Sequence, residues 1–106
     1  MDPARGEVWD AQLSQIGAHP AVVLSVNTLV QRLSAVTVVV ITGTAGPSST
    51  HVQLDSDAGL TGHDASYANA TDLHTVPKAR LRKRRGRLSP PEMAKLEDAI
   101  RVYLGL

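Results

Sequence analysis

Seven of the eight residues in Ala35-Val36-Thr37-Val38-Val39-Val40-Ile41-Thr42 are β-branched, and Val38 to Ile41 form an unbroken apolar run. Branching at Cβ stiffens χ1 against a helical turn and suits the pleated surface of a sheet. A segment without a polar face reads as a buried strand that neighbours must cover. Ala21 to Val26 is a second apolar run, opened by Pro20, and reads as a strand buried on both sides. Glu7 to Leu13 and Thr50 to Leu54 alternate instead, with Val8 and Leu13, then Val52 and Leu54, as apolar members. Ser66 to Ala70 and Thr71 to Val76 read as two short strands or one bent one. Asn27 to Ser34 reads as a connection, and Gly43 to Ser49, with its Gly, Pro and hydroxyl residues, as a loop.

The chain ends in a helix. Ser89-Pro90-Pro91-Glu92 has the spacing of a capping box, with proline in a first turn whose N–H groups lack intrahelical partners anyway. Met93, Leu96, Ile100, Tyr103 and Leu104 then recur on one helical face. Short strands closed by one packed helix predict a small α+β fold. At 106 residues the chain is read as one domain, 1–106, with a modest core.

Composition excludes several classes of function. There is no cysteine, hence no disulfide framework and no thiolate metal site. His51, His63 and His74 show no ligand spacing with one another or with carboxylates and read as surface or structural, so neither a metal nor a cofactor is expected. The N-terminal residues lack the apolar stretch of a signal peptide, and Val38–Ile41 is too short to cross a bilayer. A soluble, cytoplasmic protein with no membrane partner is the expectation.

The net charge of +1 conceals an asymmetry. Residues 1–76 hold two basic and seven acidic side chains, whereas residues 77–106 hold nine basic and three acidic. Seven of those nine basic residues lie between Lys78 and Arg87. Such a block can displace the counterions of a nucleic acid backbone, and it can equally hold an acidic protein partner.

Four strings in fixed order carry a family resemblance: Arg5-Gly6-Glu7-Val8-Trp9, Gly17-Ala18-His19-Pro20-Ala21-Val22-Val23-Leu24-Ser25, Leu73-His74-Thr75-Val76-Pro77-Lys78-Ala79-Arg80-Leu81, and Gly86-Arg87-Leu88-Ser89-Pro90 leading into the terminal helix. In this order, and from about Arg5 to Leu106, the chain resembles the MazF/PemK family of toxin ribonucleases. The resemblance implies an SH3-like twisted β-barrel with a C-terminal helix. It also implies a toxin of a type II toxin–antitoxin pair that cuts single-stranded RNA at specific sequences without a metal ion. The implied partners are single-stranded RNA, a cognate antitoxin and a second copy of the chain.

The family's catalytic pair falls on His19 and Thr42. Thr42 matches; His19 stands where the family usually has arginine, and the loop Ser14-Gln15-Ile16-Gly17-Ala18 is shorter than the common Gly-rich version. RNA cleavage through the ribose 2′-hydroxyl needs a base at the 2′-oxygen, an acid at the leaving 5′-oxygen and donors to the phosphate oxygens. Arginine stays charged and forks onto phosphate, while histidine exchanges a proton near neutrality and lacks the fork. Asn27, Thr44, Arg82, Lys83, Arg84 and Arg85 are the candidate RNA contacts, with Asn27 open to a turn-stabilising role and Thr44 to satisfying its own loop. Trp9 reads more as core than as a stacking platform, and stacking on single-stranded RNA is limited to Trp9, Tyr67 and the histidines. Two alternatives stay open: a member that binds RNA or antitoxin without cutting, and a toxin directed at a protein target such as DNA gyrase.

Overall fold

A computed structural model describes residues 2–13, 17–55, 58–60 and 65–106. Six strands form one antiparallel sheet: β1 (Glu7–Leu13), β2 (Gly17–Val23), β3 (Ala35–Thr42), β4 (His51–Leu54), β5 (Ser66–Pro77) and β6 (Leu81–Arg87). A short helix, α1 (Asn27–Arg32), links β2 to β3, a 3₁₀ turn at Lys78–Arg80 links β5 to β6, and α2 (Pro90–Leu104) follows β6. The spatial order is β4-β5-β3-β2-β1-β6, which makes β4 and β6 the edges. No pairing that would close the sheet occurs among the described residues.

The β-branched run takes the interior place its composition requires. Val36, Val38 and Val40 pack with Ala11, Leu13, Ala21, Val23 and with Val30 of α1 on one face. Val39 and Ile41 pack with Val8, Val22, Val52 and with Leu96 and Ala99 of α2 on the other. Period-two alternation thus feeds two apolar clusters from one strand.

The edge strands are short or charged. All of β6 beyond Leu81 is basic apart from Gly86, which discourages pairing with another chain. Its register against β1 shifts twice: Val8 faces Gly86 but Trp9 faces Arg84, and Asp10 faces Lys83 but Ala11 faces Leu81. Arg85 and Arg82 are therefore the extra residues of two bulges.

Several elements differ from the sequence reading, each for a local reason. β2 begins at Gly17, upstream of the expected Ala21, with Pro20 inside it. Pairing with β3 starts only at Ala21, so Pro20 has a hydrogen-bonded neighbour on the β1 side alone and its missing N–H breaks no second ladder. Asn27–Arg32 is helical rather than a plain connection, with Val30 its single buried residue. The basic run contains a strand, β6. Residues 66–77 are one strand, and the register jump between Val39↔Leu73 and Ile41↔Ala68 is the bend in it.

The capping box of α2 is complete. The Glu92 N–H donates to Ser89 Oγ at 3.3 Å and the Ser89 N–H to Glu92 Oε1 at 2.7 Å. Glu92 Oε2 also accepts the Asp55 N–H at 2.8 Å, so this buried carboxylate ties the end of β4 to the start of the helix. Gly105 closes the helix with φ of 71°, a conformation glycine adopts at no steric cost. Of the expected apolar face, Leu96 is buried, and Met93 and Ile100 are partly buried against the same cluster, whereas Tyr103 and Leu104 are exposed; Ala99, outside that expectation, is buried as well.

Candidate active site

Residues of five strands and of the segments between them line a cleft of about 320 Å³. The first half of β2 contributes His19, the end of β3 contributes Thr42, and β1 and β6 contribute Asp10 and Arg85. Leu60 and Ser66 complete its wall. His19 and Thr42, distant in sequence, are thus neighbours in one concavity.

Each side chain has a defined setting. His19 lies opposite Ala11 in the β1–β2 ladder, and its Nδ1 is buried with no hydrogen-bond partner among the described residues. Leaving a buried polar atom unpaired costs on the order of 1–3 kcal/mol, and binding and catalytic sites are where such a cost is tolerated. Thr42 Oγ1 accepts the Thr44 N–H at 3.1 Å. That bond occupies a lone pair and leaves the Thr42 hydroxyl hydrogen free to donate elsewhere. Arg85 Nε donates to Asp10 Oδ2 at 2.9 Å, a charge-assisted bond that fixes the guanidinium at the mouth of the cleft.

The other candidates divide. Thr44 is exposed in the loop after β3 and acts here through its backbone. Arg82 and Lys83 are exposed on β6 with no ion-pair partner among the described residues. Arg84 turns to the opposite face and donates to Glu7 Oε2 at 2.7 Å. Asn27 lies outside the cleft at the start of α1, where its Oδ1 accepts the Arg5 N–H at 2.7 Å. Trp9 is half-buried against the apolar cluster that holds Val30, with Nε1 donating to Glu7 Oε1 at 3.1 Å. His74 pairs with Asp72 at 2.7 Å, and the His51 ring packs where a Cβ on Gly46 would lie. His63, and residues 14–16 of the first loop, lie outside the described residues.

A larger cavity of about 680 Å³ is lined by Arg5, Arg84, Arg87 and Met93 but by no histidine or carboxylate. It offers cations without a group that exchanges protons near neutrality, so the smaller cleft is the chemically equipped one. No group of three or more His, Cys, Asp or Glu converges among the described residues to hold a metal ion. No described helix is long and apolar enough to cross a membrane. Glu7 titrates below its ordinary value: burial pulls its pKa up, but hydrogen bonds from the Ala4 N–H, Trp9 and Arg84, with the charge of Arg84, hold it lower overall.

Sequence reasoning missed Asp10 and Ser66, and took Arg85 only as one cation of a run. The available signal was the pair of acidic residues in Glu7–Leu13, the one early strand able to neutralise a basic edge strand.

Known proteins share both the sequence and the fold. Residues 4–104 match the model of the PemK-like, MazF-like toxins of type II toxin–antitoxin systems. The probable endoribonuclease MazF5 of Mycobacterium tuberculosis is 33% identical over 100 residues, covering 94% of this chain and 91% of its own. Endoribonuclease MazF1 of Mycobacterium bovis is 32% identical over 104 residues, covering 98% and 94%. A solved endoribonuclease in complex with its cognate antitoxin, from a mycobacterial species, superposes with a TM-score of 0.87 at 32% identity, over 98% of this chain and 96% of that one. With a matching family model over nearly its whole length, the chain belongs to the PemK-like, MazF-like toxins of type II toxin–antitoxin systems.

Proposed function

We propose that this toxin is a sequence-specific endoribonuclease that cuts single-stranded RNA in the cytoplasm, without a metal ion, in the cleft shared by His19 and Thr42. The observation that carries the reading is the meeting of a proton-exchanging imidazole and a hydroxyl with a free hydrogen in one small concavity. The names of the similar mycobacterial endoribonucleases support the reaction class.

The ribose 2′-oxygen attacks the adjacent phosphorus, forming the 2′-O–P bond as the P–O5′ bond breaks. His19 takes the 2′-hydroxyl proton, and a proton returns to the leaving 5′-oxygen. Thr42 donates a hydrogen bond to the phosphate oxygens as their charge grows. The products are a 2′,3′-cyclic phosphate and a 5′-hydroxyl end. Arg82, Lys83, Arg84 and Arg85 extend a basic edge from which an RNA backbone can be held. Thr44 and Asn27 are secondary contacts on this reading.

The partners are single-stranded RNA, a cognate antitoxin and a second copy of the chain, the antitoxin being supported by the complex of the similar mycobacterial toxin. The sheet is read as an SH3-like barrel, which is supported by the approach of Gly59 to the Arg85 backbone, since that loop leaves one edge strand and lies against the other. The test is to incubate the purified protein with a long RNA in EDTA and map new 5′ ends. Cleavage with 5′-hydroxyl termini is the expected result; activity lost in EDTA and regained with magnesium overturns the mechanism.

A further inference from the structure

The basic edge strand does one thing that a solvated charge run need not do. Its neighbouring residues Arg84 and Arg85 pair with carboxylates on opposite faces of β1, Glu7 and Asp10, and only Arg85 enters the cleft of His19 and Thr42. Three independent features put it there. It is the extra residue of a β-bulge, a device that re-aims a side chain. Asp10 holds its Nε. Gly59, with φ of +75°, lies so close to the Arg85 carbonyl that a Cβ would overlap the oxygen, so the loop after β4 fits against the bulge only as glycine.

Asp10 takes Nε and no other protein group among the described residues takes the two terminal amino groups. A guanidinium anchored at one nitrogen and open at its far end is arranged for two parallel bonds to a phosphate. The cleft's remaining polar side chains, the His19 imidazole and the Thr42 and Ser66 hydroxyls, include no guanidinium or ammonium group. We infer that Arg85 is a catalytic residue of this cleft, the bidentate clamp on the scissile phosphate, and that Asp10 is its positioning residue. Resting on the nuclease reading above, this places the family's guanidinium on β6 instead of at position 19, and frees His19 for proton transfer alone.

The test measures two things on the wild type and on Arg85→Gln: cleavage of a long RNA in EDTA, and the NMR signals of the His19 imidazole during titration with inorganic phosphate. Arg85→Gln is expected to lose about 10²–10³-fold in rate at saturating RNA, with an unchanged melting temperature. Arg85→Lys, which keeps the charge and lacks the fork, is expected to stay far below the wild type and also covers the case of a misfolded glutamine variant. Phosphate is expected to move the His19 signals only when Arg85 is present. Asp10→Asn is expected to lower kcat and leave KM near its original value, which a general loss of folding does not do. An Arg85→Gln protein that cuts at the wild-type rate while His19→Gln is dead overturns the assignment and leaves the nuclease reading intact. A wild type that cuts no RNA, but whose His19 responds to phosphate through Arg85, sustains the anion site and overturns the nuclease reading.

Discussion

The Thr44 N–H donates to Thr42 Oγ1 at 3.1 Å, across the first turn after the central strand. The bond takes one of the two lone pairs of Thr42 Oγ1 and leaves the hydroxyl hydrogen available to donate toward a group entering the cleft. Removing one such donor to a developing oxyanion costs roughly 10²–10³-fold in rate. Thr42→Ala is expected to lose cleavage to that extent while keeping its circular dichroism and melting temperature. Thr42→Ser, which keeps the donor, is expected to recover most of the rate. Near wild-type turnover in the alanine variant reduces Thr42 to a strand residue.

His19 makes a different demand. Its Nδ1 is buried and unpartnered among the described residues, so the ring is not held by the protein as an ordinary structural histidine would be. His19→Gln keeps a polar side chain and cannot exchange a proton, and it is expected to abolish cleavage without weakening RNA binding. His19→Ala is expected to regain part of its activity when free imidazole is added, because the cavity it leaves opens into the cleft. Failure of imidazole to restore any cleavage, with the fold intact, removes His19 from proton transfer.

Glu7 governs stability in acid. Its carboxylate receives the Ala4 N–H at 2.7 Å, Trp9 Nε1 at 3.1 Å and Arg84 Nε at 2.7 Å, and its pKa sits below the ordinary value. A carboxyl group whose folded pKa is lowered stabilises the protein above its unfolded pKa, about 4.3 for glutamate, and loses that contribution as pH falls through the folded value. Thermal unfolding of the wild type is therefore expected to drop more steeply below about pH 4 than that of Glu7→Gln. Parallel curves for the two proteins across that range contradict the account.

The parts of the fold that were legible in sequence are those where one side chain property decides the outcome. The β-branched run of β3 has the same bounds in sequence and structure, because Val36 and Val38 to Ile41 all have to be buried and β-branching favours the extended chain throughout. Ser89 and Glu92 announce the helix start, since their reciprocal bonds depend on spacing alone. β6 was hidden because its exposed edge carries arginines where periodicity needs alternating apolar residues. α1 is too short for a helical period to repeat. The same limits apply to the site: His19 and Thr42 stood out through family likeness, whereas the pairing of Asp10 with Arg85 depends on a bulge that no single-strand pattern encodes.

Arg82 and Lys83 provide the sharpest separation of RNA from a protein partner. Both are exposed and without ion-pair partners among the described residues, so neither contributes to the fold by neutralising a carboxylate. Exposed pairs contribute little to stability in any case, and unpaired surface cations less. The double variant Arg82→Ala, Lys83→Ala is thus expected to melt near the wild-type temperature. If both side chains meet phosphates, removing either cation reduces the slope of log binding constant against log salt by about one unit. RNA binding by the double variant, measured by fluorescence anisotropy between low and moderate salt, is expected to show a slope about two units shallower. Pairing with an antitoxin would leave that slope in place and weaken toxin–antitoxin affinity instead, which isothermal titration with the cognate antitoxin reads directly. An unaltered salt slope therefore assigns the exposed middle of β6 to the protein partner and confines the RNA-binding cations to the cleft side of the strand, at Arg85.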